Sequence, residues 1–326
     1  MNRCHCCLRE TETDFCRTCS RKLFGKDRFS AMLNFSLPDI AQAPDGTPQR
    51  ISISGAQPKY SLKIEGKGLV PTDRQGSYIL KPATSMQFRL YADMPANEHV
   101  TMLMARQIFK LDVAESALLQ FPSGEYAYLT KRYDVRRDGT RIHQEDFAQV
   151  ADLSSEEQGS NYKYESLSYE DIAELIRDHV SAHAVALEKF FRTVLFNYLV
   201  CNGDAHIKNF SIYSPNQEGV FELSPAYDLM NTSLHASDSR TALDLFKDED
   251  SFQTDFYREN GFYGAADFME FAKRIGIVEN RALRFVKDIV THVSEMDSML
   301  GQSFLSDEAK RQYRESIRDR VKALTA

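Results

Sequence analysis

Hydrophobic periodicity changes character once along this chain, and that change limits the possible fold more than any other feature. Between residues 51 and 135 apolar positions alternate. ISISGAQPKYSLKI alternates on both sides of a Gly-centred turn, SYILKP is a short apolar strand ending on Lys81, and ESALLQF and EYAYLTKRYD form a hairpin about Pro-Ser-Gly. Alternation of period two puts successive side chains on opposite faces, the mark of half-buried strands. One helix interrupts them, MPANEHVTMLMARQIFKLDV, where Val100, Leu103, Met104, Ile108 and Phe109 recur at helical spacing behind Pro95. After a polar stretch, 136–165, the period becomes helical in YEDIAELIRDHV and VALEKFFRTVLFNYLVC. Two short strands follow, FSIY and VFELS, and then helices from about 264 to the end. The pattern predicts an α+β chain of two lobes, a small β-rich one over 51–135 and a larger helical one over 136–326. A Cys-rich segment at 1–30 precedes them, with a connector at 31–50 that holds Pro38, Pro44, Gly46 and Pro48. The 326 residues suffice for a core in each lobe.

A net charge of −7 argues against direct DNA binding, which calls for a basic excess. No run is long and apolar enough to cross a membrane, and the first residues, MNRCHCCLRE, are too polar for a secretory signal. The expectation is a soluble, cytoplasmic protein. Five of the six cysteines lie before residue 20. In such a chain Cys4-x-x-Cys7 and Cys16-x-x-Cys19 read as two knuckles around a structural Zn²⁺ rather than as disulfides, with Cys6 and His5 competing for the same coordination. Cys201, beside an apolar run, reads as a core thiol.

The densest chemistry lies in VCNGDAHIKNFSIY, residues 200–213. Asp204 and Asn209 have the five-residue spacing of a phosphoryl-transfer loop, in which the Asp accepts the proton of the attacking hydroxyl and the Asn reaches a metal ion on the phosphates. Asp228 follows the next strand pair, where a second carboxylate holds Mg²⁺. His206 and Lys208 add donors and positive charge. An Asp and an Asn between a helix and a strand also serve as caps and turns; the later Asp favours the chemical reading. In the β-rich lobe, Lys81 at a strand end and Glu98 on the lone helix stand in the order that a phosphate-contacting lysine and its partner require. SISGAQPK, 52–59, is placed to cover phosphates although it has the single glycine Gly55, and Tyr133 in TKRY could pack on a base.

SISGAQPK, YILKP, NEH, KRYD, HQEDFAQ, KYE, GDAHIKNFSIY and SPAYDLM together resemble, in order, the motifs of the HipA-like serine/threonine kinases, the toxins of bacterial toxin–antitoxin systems. The resemblance spans about residues 50–235. It implies a protein-kinase-like fold with ATP between lobes and Mg²⁺ on Asn209 and Asp228. Asp204 matches the catalytic Asp, and Lys81 the phosphate-contacting lysine with Glu98 as its partner. Ser54, Gly55, Ala56, Gln57, Pro58 and Lys59 match the nucleotide loop, and Lys131, Arg132 and Tyr133 the hinge. His206, Ile207, Lys208 and Tyr227 flank the phosphates. The short Cys-rich start and the paired loop serines look like the HipT branch, in which a small HipS-like protein resembles the missing N-terminal subdomain. The resemblance further implies a helix-turn-helix antitoxin as partner and an aminoacyl-tRNA synthetase as protein substrate.

Ser52 and Ser54 flank Ile53, so in an extended loop both hydroxyls face one way, which suits autophosphorylation. Two other functions use the same residues: a small-molecule phosphotransferase with the same catalytic parts, and a non-catalytic, zinc-containing binding module. Intact Asp204, Asn209, Asp228 and Lys81 argue against the second.

Overall fold

A computed structural model describes residues 2–41, 58–73, 76–83, 87–136, 138–216, 219–237, 240–249 and 251–326. The chain forms two units. The first comprises Met1–Leu103, Ala114–Arg141 and Ser298–Lys310, and the second Met104–Val113, Ile142–Asp297 and Arg311–Ala326.

In the first unit the Cys-rich segment makes a short hairpin, β1 (Asn2–Arg3) and β2 (Glu10–Thr11), and the helix Arg17–Phe24. The main sheet consists of β3 (Tyr60–Glu65), β4 (Gly68–Pro71), β5 (Tyr78–Pro82), β6 (Ser116–Gln120) and β7 (Tyr126–Lys131), in the order β4-β3-β5-β7-β6, antiparallel throughout. Alternation sorts its two faces. Leu62, Leu80, Ala117, Leu119, Ala127 and Leu129 share one core with Cys4, Cys6, Phe15, Leu23 and Phe24, so the Cys-rich segment covers that face. Tyr78 secures it by donating its hydroxyl to the Leu23 carbonyl at 2.7 Å.

Lys81 points to the other face, directly across from Tyr128 on β7. There β6 and β7 carry the helix Met94–Leu103, every residue of which is buried. Pro95 lies in the helix's first turn, where its missing N–H leaves no bond unmade. The expected helix does not run on unchanged. Residues 104–108 widen into a π turn, with the Phe109 and Leu111 amides bonding to the Met104 and Ala105 carbonyls.

In the second unit the helix Tyr169–His179 is started by a capping box of Ser168 and Asp171. The long helix His183–Leu199 buries Phe190, Phe191, Val194, Leu195, Phe196 and Leu199. Strands β8 (Gln144–Asp146), β9 (Ser211–Tyr213) and β10 (Glu222–Leu223) form a small antiparallel sheet in the order β10-β9-β8. Three residues with polar side chains carry no readable period, which is why β8 has no counterpart in the sequence reading. The apolar pattern of ENRALRFVKDIVTHVSEMDSML divides at His292 into the helices Glu279–Thr291 and Val293–Gln302. Among the described residues no helix is long and apolar enough to cross a membrane.

Candidate active site

The helix His183–Leu199 ends by turning the chain sharply. Cys201 takes a left-handed backbone at φ 56°, and its carbonyl accepts from both the amide and the hydroxyl of Thr232, at 3.1 and 3.0 Å. Asn202 folds back, donating from Nδ2 to Asn197 Oδ1 at 2.9 Å. The Gly203 amide donates to Thr232 Oγ1 at 2.8 Å. This buried polar net fixes the backbone from which Asp204 projects, and the Asp204 side chain itself is 54% exposed. A carboxylate held by its backbone and half open to solvent suits proton acceptance.

Asn209 closes the same loop. Its Oδ1 accepts from the His206 amide at 3.1 Å, and its own amide donates to the His206 carbonyl at 2.8 Å. His206 lies beneath, 3% exposed, with Nε2 3.9 Å from Asp204 Oδ1. Burial pushes its ring down to about 4, against the pull of Asp204. It is therefore neutral near pH 7 and does not ion-pair with Asp204. Ile207 is fully buried. Lys208 reaches Tyr162 Oη at 3.5 Å and lies 3.9 Å from Asp146.

Two bonds tie the loop that carries Asp228 to the loop that carries Asp204. Tyr227 donates its hydroxyl to the Lys208 carbonyl at 2.9 Å, and Asn202 Nδ2 donates to the Asp228 carbonyl at 3.4 Å. Tyr227 also meets Ser211 Oγ on β9 at 2.6 Å. Asp228 adopts φ 56°, a conformation that Asp and Asn tolerate better than other side chains but that still costs energy. Asp204, Asn209 and Asp228 thus stand on one cross-linked framework, and all three offer oxygen donors, the set that Mg²⁺ prefers. The donor chemistry fits that ion.

Tyr164 is a further member that the spacing did not single out. It belongs to the one-turn helix Tyr162–Glu165, donates its hydroxyl to Asp204 Oδ1, and lies edge-on to the His206 ring at 5.2 Å. The Lys163 ammonium sits 4.7 Å from its ring centre.

In the first unit, Lys81 Nζ lies 2.5 Å from Glu98 Oε1, with the two side chains 3% and 2% exposed, and 5.4 Å from the Tyr128 ring centre. Glu98 is the fifth residue of its helix and faces the sheet, rather than an acid of the first turn. At the end of β7, the Arg132 amide donates to the Ser77 carbonyl at 2.8 Å and its guanidinium forks onto Asp134 at 2.9 and 2.5 Å. Lys131 Nζ is 3.5 Å from the Lys22 carbonyl, and Tyr133 is half-buried. Pro58 and Lys59 lead into β3, while Ser52, Ser54, Gly55, Ala56 and Gln57 lie outside the described residues. The sulfurs of Cys4, Cys7, Cys16 and Cys19 are all within 4.8 Å of one another, a group able to hold a metal ion.

Residues 51–296 match the family described as the HipA-like C-terminal domain. A Haemophilus influenzae protein, provisionally named a kinase, is 29% identical over 291 residues, 85% of this chain and 82% of that protein. The serine/threonine-protein kinase toxin HipA of Shewanella oneidensis is 28% identical over 209 residues, 59% of this chain but only 45% of its own length. Among solved structures, a chain of the Shewanella oneidensis complex of HipA, HipB and operator DNA matches with a TM-score of 0.66 at 21% identity, over 85% of this chain and 65% of that one. The Helicobacter pylori proinflammatory kinase CtkA matches with a TM-score of 0.53 at 14% identity, over 81% and 90%. At such identities the two structures establish the fold, which is kinase-like, with a β-sheet unit and a helical unit.

Proposed function

This chain belongs to the HipA-like C-terminal domain family, and on that premise we propose that it is an ATP-dependent serine/threonine protein kinase that acts as a toxin. The observation that carries the reading is the cross-linked pair of loops that presents Asp204, Asn209 and Asp228 together. In the reaction, a serine Oγ of the substrate protein bonds to the γ-phosphorus as the bond to the bridging β–γ oxygen breaks. Asp204 takes the hydroxyl proton and ADP departs. Asn209 and Asp228 would hold Mg²⁺, which neutralises phosphate charge when bound. Lys81, kept in place by Glu98, contacts the phosphates. The loop from Ser54 to Lys59 covers them, and Lys131, Arg132 and Tyr133 receive the base. His206, Ile207, Lys208 and Tyr227 shape the phosphate side, His206 as a neutral ring.

The partners follow by analogy. HipA of Shewanella oneidensis has been solved with HipB and operator DNA, which supports a helix-turn-helix antitoxin for this chain, and the resemblance of the paired loop serines to the HipT branch supports a small HipS-like protein beside it. An aminoacyl-tRNA synthetase is the proposed substrate, in a cytoplasmic setting, with self-modification at Ser52 or Ser54. The test is transfer from γ-labelled ATP with Mg²⁺ in a cell lysate. We expect a labelled protein band and labelled Ser52 or Ser54, both absent with Asp204→Asn. Label that appears only in the small-molecule fraction would make the chain a small-molecule phosphotransferase instead. No transfer at all would leave the binding-module reading.

A further inference from the structure

We propose that Cys4, Cys7, Cys16 and Cys19 bind one structural Zn²⁺, and that this ion fixes a clasp closing the β6 edge of the first unit's sheet. The sequence leaves five cysteines and His5 competing for four positions, and the structure separates them. The four named sulfurs lie mutually within 4.8 Å, and Cys7 and Cys16 are already 3.9 Å apart. A zinc tetrathiolate with bonds of about 2.3 Å has sulfurs about 3.8 Å apart, so the site needs to contract by about 1 Å or less. A disulfide would need about 2 Å, and none of the six cysteines is disulfide-bonded. His5 stands outside the set of four. Its Nδ1 is 3.0 Å from the Leu118 carbonyl and its ring packs on Phe304 at 4.7 Å. Cys6 belongs to the sheet's core at 2% exposure and stands outside the set of four.

The backbone around the sulfurs is already shaped for thiolates. The turn after Cys4 is closed by the Leu8 amide on the Cys4 carbonyl at 2.9 Å, with Leu8 at φ 63°. The Cys16 amide donates to Cys4 Sγ at 3.2 Å. Cys16 stands at the N-cap position of the helix Arg17–Phe24, without a side-chain capping bond, and Cys19 lies in its first turn, where the helix amides favour negative charge. Uptake of one Zn²⁺ by four thiols releases four protons and leaves two net negative charges, which those amides face.

The clasp follows from what the knuckle holds. Strand β6 ends the sheet, so one row of its backbone groups has no strand beside it. The Leu118 amide donates to the His5 carbonyl at 2.8 Å, between ligands Cys4 and Cys7. The Gln120 amide donates to the Ala31 carbonyl at 2.9 Å, and the Leu33 amide to the Gln120 carbonyl at 2.8 Å. A segment this short has little core of its own, and metal binding would supply its folding energy.

The experiment uses the full chain, purified without added metal. Elemental analysis should find one zinc per chain, retained in Cys6→Ser and lost in Cys16→Ser and Cys19→Ser. Cobalt exchange should give the visible bands of a tetrahedral tetrathiolate. Stripping zinc from the unmodified chain should speed hydrogen exchange at the Leu118 and Gln120 amides by about tenfold or more, and added zinc should reverse it. Absence of metal, iron in place of zinc, or loss of metal in Cys6→Ser overturns the site. Unchanged protection of Leu118 and Gln120 after stripping overturns the clasp.

Discussion

Lys81 and Glu98 allow the forces that hold the fold to be separated from the chemistry. Their charges are 2.5 Å apart and almost wholly out of water. At an effective dielectric constant near 20 their attraction is about 7 kcal/mol. Desolvating each ion costs several kcal/mol, so the pair contributes little net. Each charge nonetheless depends on the other. Lys81→Met leaves a buried carboxylate, and Glu98→Met leaves a buried ammonium without its carboxylate, the Tyr128 ring centre lying 5.4 Å away. Either change alone should cost about 3–5 kcal/mol. The double variant buries two methionines of similar volume and should come back to within about 1 kcal/mol of the unmodified chain, or exceed it. The chain has no Trp but 15 Tyr, so urea unfolding is best followed by circular dichroism and tyrosine fluorescence, with exchange at β5 amides reporting the first unit. Phosphoryl transfer should be absent in all three variants, because the lysine amine is missing or misplaced. A double variant as unstable as the worse single one would refute the account of interdependent buried charges. A double variant that still transfers phosphate would refute the role of Lys81.

With Asp204 as the proposed base, Tyr164 occupies the acceptor site that a substrate hydroxyl would need, and a hydrogen bond to a carboxylate is worth about 1.5–3 kcal/mol; Tyr164→Phe should therefore lower KM for the protein acceptor, up to about tenfold after water competes for Asp204. A fall in kcat at constant KM would mean that Tyr164 positions Asp204 instead. Asp228→Asn should keep its fold, since Asn is equally at home at positive φ, while transfer at saturating Mg·ATP drops by about 10² or more; near-normal turnover would rule out the assigned role. Burial chiefly lifts the Glu249 carboxyl to about 7, with the nearby Tyr263 hydroxyl pulling the other way and Asp244 adding to the rise. The folded state then binds more protons than the unfolded one between about 4.5 and 7, so this group's contribution to stability is full below that window and is lost as pH rises through 7. Glu249→Gln should flatten that slope and gain on the order of 1–2 kcal/mol at pH 8, allowing for partial exposure. Melting curves from pH 5 to 8 check this, and an unchanged slope would place the titration elsewhere.

How far the sequence could be read depended on whether a feature is local. The strands of the first unit and the helix His183–Leu199 are visible because burial on one face stamps a period of two or 3.6 on neighbouring residues. Asp204 and Asn209 are visible for a related reason: one short loop holds both, so a fixed spacing records their joint placement. Strand β8 left no trace because its partners lie some 67 residues on, at β9, and Gln144 Nε2 reaches Ser211 Oγ only after folding. Tyr164 was hidden in the same way, 40 positions before the carboxylate it binds. Nothing in KYE distinguishes a tyrosine aimed at the Asp204 carboxylate from one lying on a surface. The Cys-rich start is the intermediate case. The spacing of its two knuckles leads to the expectation of a metal, but could not choose among Cys4, Cys6, Cys7 and His5. Only the folded positions of the sulfurs choose: Cys4, Cys7, Cys16 and Cys19 converge within 4.8 Å of one another, and Cys6 and His5 stand outside that group. Local spacing names the candidates for such a set, but which of them converge depends on how the turn that begins at Cys4 meets the helix Arg17–Phe24.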